Sequence, residues 1–327
     1  MLAAAGYSTA AFVSATPLKR RTGIAAGFTE FDQPKGAARR ARVPTTRALS
    51  WLAEEPSEPF FLWVHYWDPH DPYRPPAEYK GRFSHTEPGL EEYFAEGGYV
   101  SRPRWNAARH NSRYDEEVLY TDSEIGRLLD GLRGRPDWDE LAIVFTADHG
   151  EGLGQRNWRD HGRIYSGQLY VPLILRLPEG PRGLRVAEPV SPIDIVPTLV
   201  GALELPVSEA VRAQFQGVDL LAARPDRRIL SERAHRERAW EPGSRYALTG
   251  QRWRYVHSPE AGDELFDLSV DRWEKNNVIA EHPELAERLK SELLAARAAA
   301  AVGPALEQLD EVPPELAKEL EALGYVD

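Results

Sequence analysis

Leu141-Ala142-Ile143-Val144-Phe145-Thr146-Ala147-Asp148-His149-Gly150 is an uninterrupted apolar run that stops on a carboxylate, an imidazole and a glycine. A run without polar alternation suits a strand covered on both faces, as in a parallel sheet. Phe60-Phe61-Leu62-Trp63-Val64-His65 has the same character. Val171-Pro172-Leu173-Ile174-Leu175-Arg176 is a third such run, with its proline suited to a strand's first position. Upstream of the Leu141 run, Tyr114 to Leu132 carries Val118, Leu119, Ile125, Leu128, Leu129 and Leu132 at helical spacing, with the charges assigned to the opposite face. Thr45 to Leu52 predicts a helix leading into the Phe60 strand, with Thr45 or Thr46 as its N-cap. At the start, Gly6 reads as the residue closing a helix and Ser8 to Val13 as a strand. Strands alternating with helices imply an α/β fold on a mainly parallel sheet flanked by helices.

The texture changes after Leu221, where Ala222-Ala223-Arg224-Pro225-Asp226 reads as a connector. Short strand-like pieces follow at 228–231, 244–249 and 252–257, the last two joined by Gly250-Gln251 as a hairpin. Pro283 to Ala301 and Pro314 to Leu323 predict two helices. The expected division is therefore an α/β core over 1–221 and a smaller antiparallel α+β subdomain over 222–327.

Composition narrows the function classes. The 327 residues include 40 Lys plus Arg against 51 Asp plus Glu, a formal net charge of −11. That balance argues against a general nucleic-acid or anionic-membrane binder, while leaving room for one local anion held by focused cations or a metal. There is no cysteine, which excludes a disulfide framework, a thiolate zinc site and a cysteine nucleophile within this sequence. No stretch approaches the 18 or so apolar residues of a membrane span, and the first residues lack the charge and apolar run of a secretory signal. They read as the end of a helix, which gives the expectation that further sequence precedes them. The compartment stays undecided.

Ligands in open α/β sheets collect beyond the carboxyl ends of strands, and three clusters are expected there. Asp148 and His149 follow the Leu141 strand. Neighbouring side chains in a strand diverge, so the two can share a metal only where the backbone has left the strand, a turn that Gly150 eases. An ordinary turn in which Asp148 caps a following helix uses the same residues. His65-Tyr66-Trp67-Asp68-Pro69-His70-Asp71-Pro72-Tyr73 follows the Phe60 strand. Its prolines are expected to stiffen the loop and hold His70 in extended backbone as a catalytic histidine, whereas His65 reads as a satisfied core histidine. Arg159-Asp160-His161-Gly162-Arg163-Ile164-Tyr165 gathers one histidine and two arginines where an anion would lie, or simply forms surface charge.

In order, these segments resemble the sulfatase family of the alkaline-phosphatase superfamily. The likeness runs through Pro59 to Tyr73, Thr146 to Glu151, His161-Gly162-x-x-Tyr165 with Val171-Pro172-Leu173, Ser191 to Leu199, Glu264 to Leu268 and Leu323-Gly324-Tyr325. It implies an alkaline-phosphatase-like fold and hydrolysis of small-molecule or glycan sulfate esters at a bound divalent cation, usually calcium. Asp148 and His149 would be metal ligands, and His70 would contact the sulfate or assist the leaving group. His161 stands where many relatives carry a lysine that binds sulfate or protonates the leaving oxygen. The carboxylate suits calcium or magnesium and the imidazole manganese or zinc, so the metal stays open. The family also uses paired aspartates after an early strand and Cys- or Ser-x-Pro-Ser-Arg, the source of its aldehyde nucleophile. Neither occurs in this sequence: Arg42-Val43-Pro44-Thr45-Thr46-Arg47 and Ser101-Arg102-Pro103-Arg104 are imperfect echoes. The expectation is a sulfatase-family hydrolase inactive as this chain. The alternatives are a non-catalytic remnant with residual metal or anion binding, or a phosphomonoester or phosphodiester hydrolase of the same superfamily.

Overall fold

The structure, a computed structural model, describes residues 2–85, 107–222, 226–233 and 243–300. They form two compact units, one of residues up to 85 with 107–139, the other of the described residues from 140 to 300. The expected helix over Pro314 to Leu323, the Leu323-Gly324-Tyr325 segment and the Ser101–Arg104 echo lie outside the described residues.

The first unit is built on three parallel strands, β1 (Ser8–Phe12), β2 (Glu30–Asp32) and β3 (Phe60–Val64), in the order β2-β1-β3. Gly6, at φ +87°, closes a 3-10 turn ahead of β1 and donates its amide hydrogen to the Ala3 carbonyl, as the sequence implies. Strand alternation then divides β1 between two layers. Ala10 and Phe12 pack with Ala48 of helix α1 (Arg42–Ala53) and Leu128 of helix α2 (Ala107–Arg133). Ala11 and Val13 pack with Ala25, Phe31 and Trp63 on the other side. β3 is an edge strand of this sheet, and each of its residues is half-buried.

Two expectations fail on these helices. Thr45 and Thr46 do not cap α1, which starts at Arg42; their hydroxyls donate back to the carbonyls of Ala41 (3.0 Å) and Arg42 (2.8 Å) inside the helix. On α2 the apolar stripe is not the buried face throughout. Val118 is exposed, while Glu116, Glu117, Tyr120, Thr121 and Glu124 are buried.

In the second unit, β4 (Ile143–Thr146) pairs antiparallel with β7 (Leu173–Arg176), Thr146 opposite Leu173. The sequence reading expected both runs in the parallel sheet. The chain between them instead turns back through β5 (Gly152–Leu153), β6 (Arg159–Asp160) and α3 (Ser166–Leu169), and Pro172 stands just before β7. Short helices α4 (Ile195–Ala202) and α5 (Glu209–Arg212) follow. β8 (Ile229–Arg233), β9 (Arg245–Thr249), β10 (Trp253–His257) and β11 (Glu264–Asp267) make an antiparallel sheet in the order β11-β10-β9-β8. The expected hairpin is present, with the Gly250 amide hydrogen donated to the Trp253 carbonyl. Leu248, Tyr255 and Leu265 pack on Leu289 and Leu293 of α6 (Pro283–Ala300). The opposite face of the sheet, through Ala247, Val256 and Phe266, covers Ile164 and Tyr165.

Candidate functional site

β4 ends at Thr146 and no helix follows it, so Asp148 caps nothing; its Oδ1 accepts the amide hydrogen of His149 (3.0 Å). The backbone has left the strand here, and Asp148 Oδ2 comes within 3.9 Å of His149 Nε2. His149 Nδ1 donates to the Gly150 carbonyl at 2.8 Å. That bond selects the tautomer and leaves Nε2 with its lone pair in the neutral ring. Gly150 is required for a reason other than turn freedom: a Cβ there would lie 2.3 Å from the Gly167 carbonyl oxygen. The close approach lets the Gly150 amide hydrogen reach the Gln168 carbonyl at 2.8 Å.

His161 stacks on His149, with ring centroids 4.4 Å apart and 26° between planes, and its Nδ1 lies 3.8 Å from the carboxylate of buried Glu151. The structure thus brings Asp148, His149 and His161 together. As a metal centre the group is partial. Asp148 and His149 offer two donors to one point, and among the described residues no three His, Asp or Glu converge on an ion. Of the nearby cations, Arg163 lies over the Trp158 ring.

The segment after His161 is seated by charges that sequence reasoning did not find. The Tyr165 hydroxyl donates to Glu264 Oε2 (2.5 Å) and accepts from Arg245 (2.6 Å), while Arg156 holds the other Glu264 oxygen (2.7 Å). Burial pushes the Tyr165 phenol above its ordinary range, and the Glu264 charge adds to this against the pull of Arg156, so it stays a donor. Next along the chain, the Ser166 amide hydrogen goes to Glu274 Oε2 (2.6 Å), and Arg254 bonds Glu274 Oε1 (2.6 Å) and the Ser166 hydroxyl (2.8 Å). Arg254 and Glu274 are 2% and 1% exposed. Arg245 and Arg254 stood in expected strands and Glu264 in a family-like segment, but none was expected to pair here; Glu274 carries no local signal.

His70 belongs to the first unit. It does not sit in extended backbone: its amide hydrogen closes a turn on the Trp67 carbonyl (2.9 Å), with a cis Asp68–Pro69 bond at the turn's centre. The His70 ring stacks on Trp67, centroids 3.7 Å apart, and Nδ1 donates to the Asp71 carbonyl (2.7 Å). His65 accepts the Ser14 amide hydrogen at Nδ1 (3.2 Å), as a packed histidine would. Beneath the turn, α2 presents its buried acids. Glu117 accepts the Arg74 amide hydrogen (2.5 Å) and Glu116 that of Gly81 (2.6 Å). Burial, reinforced by the Asp68 and Asp71 charges and opposed by Arg40 and the Arg74 hydrogen bond, pushes the Glu117 carboxyl up to about 7. Burial also raises Asp68, although its Oδ2 accepts the Ala41 amide hydrogen at 2.7 Å.

Comparison with known proteins identifies the family. The family model described as Sulfatase matches residues 1–205. The chain belongs to the sulfatase family. Among curated sulfatase relatives, the choline-sulfatase of Rhizobium meliloti (strain 1021) is 31% identical over 182 residues, 54% of this chain and 34% of that protein. The arylsulfatase of Clostridium perfringens (strain 13 / Type A) is 24% identical over 246 residues, 69% of this chain and 50% of its own length. The chain thus spans about a third to a half of these relatives. Among solved structures, the phosphonate monoester hydrolase of Agrobacterium radiobacter has a TM-score of 0.71 at 20% identity, covering 91% of this chain and 79% of that one. A 2-O GAG sulfatase gives 0.67 at 18%, covering 91% and 72%. At these identities the likeness establishes the alkaline-phosphatase-like fold alone.

Proposed function

We propose that this chain supplies the anion- and metal-binding part of a sulfuric ester hydrolase, and that the 327 residues by themselves do not turn over sulfate esters. The observation that carries the reading is Asp148 Oδ2 facing His149 Nε2, with the other nitrogen of His149 tied to backbone and His161 stacked alongside. Ester hydrolysis at sulfur needs a nucleophile, partners for the charge that grows on the transferring oxygens, and a proton for the leaving oxygen. His161 and His70 suit the second and third tasks, since an imidazole both donates to an oxyanion and delivers a proton at neutral pH. Asp148 and His149 would hold a divalent cation, calcium or magnesium by the carboxylate and manganese or zinc by the imidazole, and such an ion neutralises charge on the transferring oxygens. Two ligands fall well short of the six to eight that calcium takes, so weak binding is expected. The nucleophile has no counterpart here, because the sequence has no cysteine and no Ser-x-Pro-Ser-Arg.

The substrate class is a small-molecule or glycan sulfate ester, supported by relatives named choline-sulfatase and arylsulfatase and by a neighbour solved with D-glucosamine-2-N,6-O-disulfate. A second reading, hydrolysis of a phosphorus ester, draws support from the fold likeness to two phosphonate monoester hydrolases. The test is the purified chain with a chromogenic aryl sulfate and, separately, an aryl phosphonate monoester, together with calorimetric titration by each of the four cations. No product from either ester and binding weaker than micromolar are expected, with Asp148→Ala removing what binding there is. Reproducible sulfate release, or submicromolar calcium binding that Asp148→Ala abolishes, would overturn the proposal. Release from the phosphonate alone would favour the second reading.

A further inference from the structure

We infer that Glu117 is the positioning residue that seats the His70 turn, an assignment that rests on the proposed substrate-facing role of His70. The turn has no strand or helix to satisfy its backbone, so its amides and carbonyls need partners from elsewhere. One face of α2 provides them. Glu117 Oε1 accepts the amide hydrogen of Arg74, four residues after His70, and Thr121, one helical turn further on, donates its hydroxyl to the carbonyl of Asp68, two residues before it (3.2 Å). The two contacts bracket His70. Arg40 donates to the Arg74 carbonyl, so both backbone groups of that residue are held. Asp68 in turn takes the Ala41 amide hydrogen at the start of α1. Between these anchors the His70 ring lies on Trp67 and bonds the Asp71 carbonyl through Nδ1.

Packing alone does not account for a carboxyl at position 117. An apolar side chain on that face would fill the space without the cost of burying an acid; what the carboxyl adds is an acceptor for a loop amide. The charged groups facing it are Asp68 and Asp71 from the turn and Arg40 from the approach to α1, with burial as the largest influence on its ionisation. The seat therefore holds a neutral acid below about pH 7 and a carboxylate above it, and Glu117→Gln copies the neutral form.

The experiment is NMR on the full 327-residue chain, with the His70 ring resonance assigned through His70→Gln and the Arg74 amide followed against pH. In the native sequence the His70 ring proton is expected upfield under the Trp67 ring current, and the Arg74 amide is expected to titrate with a midpoint near 7. Glu117→Ala should lose the His70 ring-current shift. Glu117→Gln, which keeps an acceptor oxygen for Arg74, should retain it and lose the titration. A His70 resonance unmoved by Glu117→Ala would overturn the assignment, as would an Arg74 titration near 7 that survives in Glu117→Gln. If Glu117→Ala does not fold, the Arg74 titration decides alone. Neither readout measures turnover. A seat that fails this test leaves the hydrolase reading standing, and failure of that reading leaves the seat.

Discussion

Replacing Glu274 by alanine tests whether the buried ionic network seats the segment after His161. Among the described residues Glu274 receives three hydrogen bonds: from Arg254 and the Ser166 amide on its carboxylate, and from Arg156 on its carbonyl. The substitution leaves the carbonyl in place and removes the first two. Arg254, 2% exposed, then keeps a buried charge with its carboxylate partner gone, and the amide of Ser166 loses its acceptor. Removing one member of such a buried pair costs about 3–5 kcal/mol. For a unit of roughly 150–250 residues each kcal/mol moves the melting temperature by about 2–4 °C, so the expected fall is roughly 6–20 °C. Glu274 sits at φ +57°, and alanine there bears comparable backbone strain, so the difference reads the side chain. The assay is thermal unfolding followed by near-ultraviolet circular dichroism, with Arg254→Met and the double variant Arg254→Met with Glu274→Ala measured beside it. The double variant should fall less than the sum of the single losses, because the stranded charge is gone. A Glu274→Ala protein melting within a degree or two of the native sequence, or a double variant showing simple additivity, would refute the reasoning.

Gly150→Ala forces a methyl against the Gly167 carbonyl, and an overpacking cost of about 1–3 kcal/mol is expected; unchanged urea unfolding would show that the approach is not required. Glu117→Gln should alter the pH dependence of stability. The folded-state pKa of Glu117 is raised from 4.5 to about 7, so its neutral form favours the fold fully below 4.5 and that contribution is lost as pH rises through 7. By about pH 9 the native sequence should be less stable than the glutamine variant by up to about 3 kcal/mol, a gap that closes toward pH 4. Parallel urea curves with a constant gap across that range would contradict the assignment of the titration to Glu117.

The sequence was legible where one physical requirement dominated. Gly6 needs left-handed backbone and Gly250 a hairpin, and both stand where they were expected. Runs such as Ser8–Phe12 and Phe60–Val64 became neighbouring strands of a parallel sheet, the first mostly buried and the second half-buried at the sheet's edge. It was less legible where polar groups are buried. On α2 the spacing from Leu128 back through Glu124, Thr121 and Glu117 follows the same 3.6-residue face. Hydrophobicity stops marking that face at its acids, and Val118 was placed inside in their stead. Asp148, His149 and His161 were singled out because ligands collect at strand ends, and the structure places them side by side. Arg156 apart, the arginines and acids that seat the chain after His161 come from strands β9 to β11 and Glu274, about 80 to 110 residues away, and long-range charge pairing leaves no local pattern. His70 was expected in extended backbone from its flanking prolines, and the hydrogen bond back to Trp67 makes a turn instead.

The two histidine-bearing loops are held by one principle in two chemical versions. Each hands an amide hydrogen to a buried carboxyl of a distant segment: Arg74 to Glu117 of α2, and Ser166, at the start of α3, to Glu274. A buried acid is tolerable when its oxygens are used and its charge is answered. Glu274 is answered directly by the guanidinium of Arg254. Glu117 is not: Arg40 spends a hydrogen bond on the Arg74 carbonyl, and Asp68 and Asp71 oppose ionisation. The seat of the His70 turn thus answers to pH. The seat behind His161 answers to loss of a partner, because burial shields its ion pair from salt as well as from water.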